Sequence, residues 1–597
     1  MTSQNPSSSS QIHQPPTEAL SQTASYSLNH IPPQISTKAS SISLNSNQIP
    51  RKPIKQRPKN LKKATFSIPN TNSFWDNIAA MGKTTEIKRL KKTAEFMQNT
   101  KTITNLSLSL KTVVPFDFKY AFSRFQYLQN LSILDLKITS EYHFTPSNMK
   151  MFYHALTSLK NLNRLSLEIP QLPHVPLQLI DTVGSALRRL ASLVHLSLQF
   201  TSFAGFGDSH VQRLASHLKK LSQLQSLTLN FRLCSEISNI GLQPLSVVFK
   251  NLSLLSDVSI QLLNMKGCST STICDIFSGL AVCKSLKRLD FFVKPDSDCD
   301  LDSIEPISQG LNMLNAPSLR EIFLKLYPNF SHYGFTQLSK ALTSFSSLAT
   351  LSIDFSNESS ISEFGLSHFR NALQTLTSLS TLTISSLWTE KFSQAIELIS
   401  QGLGPLIQLR NLSLDFTGCP GKKSTTIQTL SSNLKNLQLL KQLDLNLGSC
   451  SFIDDTDIAS LTQGLEPLKD LTNLSINLAN IGELTNQGVE SLLSSFPNFS
   501  KLTHLTLKLA NNKTNDDMLK MIAQSLQSFP ALYLLDLAFP YVEESSYNEG
   551  FGILCDSLQN LVSLKKVILE VKRTEFAVEK ISELEKVKSV AMTWIWY

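Results

Sequence analysis

Eleven histidines and eight cysteines are the side chains from which this 597-residue chain could build a metal site or a nucleophile, and their spacing builds neither. The cysteines stand apart at Cys234, Cys268, Cys274, Cys283, Cys299, Cys419, Cys450 and Cys555, with no CxxC pair. No HExxH sets two imidazoles on one helical turn, and no GxSxG lifts a serine onto a strained elbow. The segment Asn77–Thr84, NIAAMGKT, resembles the second half of a phosphate-binding loop. The glycine required five residues before Gly82 is Asn77, however, and no apolar strand precedes it. Hydrolytic, metal and nucleotide chemistry therefore lack residues to carry them, and the expectation is a non-enzymatic protein with no cofactor.

What the chain does offer is recognition chemistry in a repeated setting. One position recurs as Asp135, Ser166, Ser197, Thr228, Ser259 and Asp290, then as Ser352, Thr383, Ser413, Asp444, Ser475, Thr506 and Asp536. Small polar groups there let parallel strands stack about 4.8 Å apart without crowding. Two neighbouring copies break the pattern: Phe292 and Phe323 replace polar residues, flanked by Arg288, Asp290, Glu321 and Lys325. Exposed aromatics among mixed charges are the composition of a binding hot spot. The alternative is a slip of register, because these two copies are spaced 33 residues apart where 31 is usual. A second candidate is the charged row Asp354, Asp415 and Asp444, with Arg410 and Lys441 beside it.

The elements that must present these residues follow from two alternating periods. Segments such as LQSLTLNF, starting at Leu224, recur with their middle apolar residue at 106, 134, 165, 196, 227, 258, 289, 322, 351, 382, 412, 443, 474, 505, 535 and 567. That makes 16 units at steps of 28 to 33 residues, and a constant period of this size marks a solenoid. Within each segment the period is 2, as in Leu227, Leu229 and Phe231, which predicts a short strand. Between segments the spacing becomes 3, 4, 3, as in Val211, Leu214, Leu218 and Leu221, which predicts a helix with one apolar face. Asp208, Asp455 and Asp516 stand three residues before such faces, where they are expected to cap the helices. One helix and one strand per unit, in constant order, implies an α/β solenoid with parallel strands in one sheet and helices outside.

The repeated L-x-x-L-x-L core with an intervening helix resembles leucine-rich repeats of the ribonuclease-inhibitor-like, helix-containing class, over about residues 104–571. The resemblance implies a right-handed horseshoe with a parallel concave sheet and convex helices. The family places Asn three residues after its L-x-L. Here that position is Arg232, Thr417 or Gly448, behind an extra apolar residue (Phe231, Phe416, Leu447), so a strand about two residues longer and a more irregular turn are expected. One branch of the family activates a nuclear-transport GTPase, and a third class of function is substrate receptor of a ubiquitin ligase. Both stand as alternatives to a protein-binding scaffold that holds its partner on the concave face. The first usually carries an acidic C-terminal stretch, and the second a Leu-Pro-opening module before the repeats; this chain shows neither.

Charge separates the remaining parts. Residues 1–100 hold 13 Lys/Arg and 4 Asp/Glu, which leaves 42 of each for the rest of the chain. Residues 1–64 are rich in Ser and Pro and bury too little to offset chain entropy, so a disordered tail is expected. It ends in the basic cluster Arg51, Lys52, Lys55, Arg57, Lys59, Lys62 and Lys63, a candidate nuclear import signal. Residues 65–103 are expected to form a helical cap, and 104–597 the solenoid, closed by a strand in Ser589–Tyr597 that carries Trp594 and Trp596. No run of about 18 apolar residues exists, so no membrane contact is expected. Nucleic acid is expected only through nonspecific contact by the basic tail. The thiols read as free in a reducing compartment, which places the protein inside the cell, in cytoplasm or nucleus.

Overall fold

The computed structural model describes residues 42–43, 63–67 and 103–596, except 111–121, 139–143, 171–175, 202–204, 266–268, 296–304, 315, 327–331, 356–361, 386–393, 424, 514, 540–547, 572–574 and 588–590. The repeated segments are strands, and each pairs in parallel with the next along the chain. Leu227 is the Cα partner of both Leu196 and Val258, and the same register joins Leu412 to Leu443 and Leu443 to Leu474. All sixteen predicted centres, from Leu106 in Asn105–Leu110 to Val567 in Lys566–Val571, fall on this one line. The sheet does not close on itself. Lys63–Ser67 extends it at one end by pairing with Asn105–Leu110, and Ala591–Trp596 extends it at the other by pairing with Lys566–Val571. The expected C-terminal strand is therefore present. The cap role of Trp594 and Trp596, the basic cluster up to Lys62, the phosphate-loop look-alike and most of the 65–103 cap lie outside the described residues.

From Ile133–Ile138 to Lys566–Val571 a helix follows each strand, for example Asp208–Leu218, Glu363–Thr375, Asp455–Leu465 and Asp516–Leu526. Their predicted faces (Val211, Leu214, Leu218; Ile458, Leu461, Leu465) are fully buried in one core with the inward strand residues Leu227, Leu229, Leu443 and Leu445. Each fully buried Leu contributes about 1.5–3 kcal/mol, so the core grows by one nearly constant increment per unit. Strands stack about 4.8 Å apart whereas packed helices need 8–10 Å, so the sheet must take the inner, concave side of the curve.

Two local expectations need correction. Asp208, Asp455 and Asp516 are not the caps of their own helices. Each is the first helical residue, preceded by Gly207, Asp454 and Asn515 as the capping positions. Their carboxylates point instead at the next unit. Asp208 Oδ1 accepts from the backbone N–H of Ser238 (2.7 Å) and Gly241 (3.1 Å). Asp455 Oδ1 accepts from the N–H of Thr485 (2.9 Å), and Asp516 from that of Gly550 (2.7 Å). Gly241, Gly488 and Gly550 leave room for this, since a Cβ on any of them would meet the carboxylate at 2.5, 2.3 and 2.6 Å.

In the five units whose turns are described, around Leu227, Leu412, Leu443, Leu474 and Leu505, the turn after the strand is more regular than expected. Backbone pairing runs on past the strand, with Phe231 N–H donating to Gln261 O and Leu233 N–H to Leu263 O. The turn-closing position is thereby shifted to Cys234, Cys419, Cys450 and Asn512. The Cys234 and Cys450 thiols donate to the carbonyls of Phe200 and Phe416 in the preceding unit (both 3.2 Å), as the Asn512 amide does to Leu478 O (2.8 Å). Asn230, Asp415, Asn446 and Asn477 each accept from the N–H two residues on, at 3.0–3.1 Å. The residue before the closing position is left-handed throughout: Leu233, Gly418, Ser449, Asn480 and Asn511, with φ between 57 and 69°.

Candidate functional site

Strand residues that alternate with the core leucines face the hollow of the curve. At the middle concave position the small hydroxyls hold the rarer carboxylates: Ser259 Oγ donates to Asp290 (2.9 Å), and Ser413 Oγ to Asp444 (3.3 Å). No register slip accompanies the 33-residue spacing. Arg288, Asp290 and Phe292 lie opposite Glu321, Phe323 and Lys325 in Cα register, and Lys325 lies opposite Asp354.

The structure brings the first candidate set together as one cluster across three strands, Arg288–Pro295, Glu321–Leu326 and Thr350–Asp354. Arg288 pairs with Glu321 at 2.8 Å, and its guanidinium carbon sits 4.1 Å above the centre of the Phe323 ring. Lys325 pairs with Asp354 at 2.8 Å, its ammonium 5.3 Å from the centre of the Phe292 ring. Each ring thus carries a cation on its face, and each cation is held by a carboxylate from an adjacent strand, an arrangement favoured by the ring quadrupole. Phe292 is only 9% exposed, so it is not the open aromatic expected; Phe323 remains half-exposed.

Asp257, one strand before Arg288 in the same register, joins the cluster and was not singled out by sequence. Its only signal is its alignment with Arg288 and Glu321 at the first strand position. Burial pushes the carboxyls of Asp257 and Asp290 above their ordinary value, although Arg288 favours the charged form of both and Ser259 that of Asp290.

The second candidate set does not form one row. Asp354 and Asp415 occupy the last concave position of their strands, opposite Ser385 and Asn446, whereas Asp444 occupies the middle one, opposite Ser413 and Ser475. Asp415 also closes its own turn, accepting from Thr417 N–H (3.1 Å) and Oγ1 (2.6 Å). Arg410 and Lys441 precede their strands and stand exposed on the lower rim with Lys287 and Arg320. Of the basic tail cluster only Lys63 falls in a described element, opposite Asn105.

Among the described residues no His, Cys, Asp and Glu side chains group closely enough to hold a metal ion, and no helix is long and apolar enough to cross a membrane. Lys508 reaches past Ala538 to Glu570 (3.0 Å), and beside this bridge Asp536 Oδ1 is buried with no hydrogen-bond partner. Burial raises the Asp536 carboxyl despite Lys508.

The chain is a repeat solenoid. No family model and no curated protein matches its sequence. Among solved structures it is similar to a chain of the "Crystal structure of Rad7 and Elc1 complex in yeast", with a TM-score of 0.37 and 14% identity, over 79% of this chain and 94% of that one. A likeness at that level assigns neither function nor partner.

Proposed function

We propose that this protein is a non-enzymatic scaffold of the helix-containing leucine-rich-repeat class that holds a protein partner on the concave face of its sheet. The observation that supports this is the cluster of Arg288, Asp290, Glu321, Phe323, Lys325 and Asp354. These charged and aromatic groups stand mid-sheet, held by the ion pairs and the Ser259 hydrogen bond described above, and at the middle concave position Asp290 and Phe323 stand where most other units carry Ser or Thr. Groups held in advance lose little entropy on binding, which is how a rigid repeat surface turns many modest contacts into affinity. The seven basic residues of 51–63 support access to the nucleus as well as the cytoplasm.

The test is a photo-crosslinking amino acid placed at Thr383, on the concave face, or at Ser432, exposed on the helix Thr426–Leu434. Expressed in the native cell, the Thr383 protein should capture a stoichiometric partner that the Ser432 protein does not, and adding Phe323→Ala should abolish the capture. Crosslinks from Ser432 alone would move the binding surface to the helices and end this reading.

A further inference from the structure

Resting on that reading, we infer that the partner lays a polypeptide segment rich in Lys and Arg along the concave floor between the strands Asp257–Met265 and Gln442–Asn446. Across these seven strands the three concave positions hold six carboxylates (Asp257, Asp290, Glu321, Asp354, Asp415, Asp444) and two cations, Arg288 and Lys325, with Lys294 two residues past Phe292 in register with Leu263. Residues 101–597 as a whole are balanced at 42 against 42, so the excess is a local segregation of charge. Both cations are already engaged, each with a carboxylate and a ring. Carboxylates on the floor thus outnumber cations, and the two rings show that its aromatic surface accepts cations. The raised carboxyls of Asp257 and Asp290 agree, because burial without enough positive charge is what raises them. The exposed cations Lys287, Arg320, Arg410 and Lys441 lie on the rim, outside the floor, and bias a basic segment toward the strands.

Three carboxylates can be neutralised on the protein's own precedent. Asn occupies the Asp415 position at Asn230, Asn446 and Asn477 with the same turn hydrogen bond, Ser226 occupies the Asp257 position, and Ser413 the Asp444 position. The experiment measures fluorescence anisotropy of a labelled twelve-residue peptide of alternating Lys, Arg and Ser, and of its Glu-for-Lys/Arg counterpart. Each is titrated with the full chain, with Asp257→Ser/Asp415→Asn/Asp444→Ser, and with the rim variant Arg410→Gln/Lys441→Gln. The basic peptide should bind, weaken about tenfold or more in the triple variant, tighten or hold in the rim variant, and weaken with added salt. Circular dichroism and melting of the triple variant should match the parent. Equal binding of the basic peptide by parent and triple variant, no binding of it at all, or preference for the acidic peptide, overturns the inference. The crosslink from Thr383 reports separately: a concave partner engaged without a basic segment leaves the scaffold reading standing and removes only its chemistry.

Discussion

Leu233 and Asp290 are each held in a state their side chain disfavours, and each makes a measurable statement about stability. Leu233 is 41% exposed at φ 64°, the position that Gly418 fills in another unit. The left-handed region costs a non-glycine residue about 1–2 kcal/mol, against about 0.5–1 kcal/mol for the extra freedom glycine loses on folding. Leu233→Gly should therefore raise stability by about 0.5–1 kcal/mol in urea titrations, and Gly418→Ala should lower it by about 1 kcal/mol. The Asp290 carboxyl is raised by burial, so the folded protein takes up its proton before the unfolded chain does. Its charged form therefore subtracts stability at neutral pH, and the deficit disappears as pH falls through the raised value toward the ordinary 3.8. Asp290→Asn should be at least as stable as the parent at pH 7, with the difference closing below about pH 4; a gap that widens in acid would refute the assignment. The exchange of Ser for Phe at position 323 was legible in the sequence. That Lys325 covers Phe292 was not, because a cation and a ring 33 residues apart become neighbours only once the register is known.

At the scale of elements, the units are joined by more than apolar packing. Asp455 accepts from both the N–H and the hydroxyl of Thr485, the capping residue of the following helix Asn486–Leu493. Asp455→Ala should cost about 1–2 kcal/mol, the value of a lost helix cap. The loss should register as faster hydrogen exchange in Asn486–Leu493, while the variant's own helix Asp455–Leu465, capped by Asp454, keeps its protection. The reverse pattern would show that Asp455 serves its own helix. Period and face of strand and helix were readable because they depend on residues within one unit. The target of Asp455 was not, because the sequence distance of 30 residues that separates it from Thr485 hides a hydrogen bond. The strand ladder continues through Phe416 and Gly418, the two-residue extension expected from the extra apolar residue, so Cys419 rather than Thr417 closes the turn.

For the whole molecule, contacts run almost entirely between consecutive units, so stability is expected to behave as a sum of unit and interface contributions. Leu443 sits at the centre of its strand, fully buried, and Leu443→Ala should cost about 2–5 kcal/mol. Hydrogen exchange should accelerate most in the strands Asn411–Asp415 and Asn473–Asn477 on either side and leave Asn105–Leu110 unchanged. Uniform loss along the chain would instead mean one cooperative body. The 31-residue period made this architecture legible from sequence, since every predicted centre lies on the observed register, while the strand Lys63–Ser67 before the first centre was not foreseen. Seven of the eight charged groups on the concave floor were named from the sequence, and only Asp257 joined them once the strands could be set side by side. One feature of the junctions also gives the molecule a direction. The carboxylates of Asp208, Asp455 and Asp516 all complete the helix start that lies C-terminal to them. A chain emerging from the ribosome, N-terminus first, thus presents each of these three carboxylates before the helix that it completes.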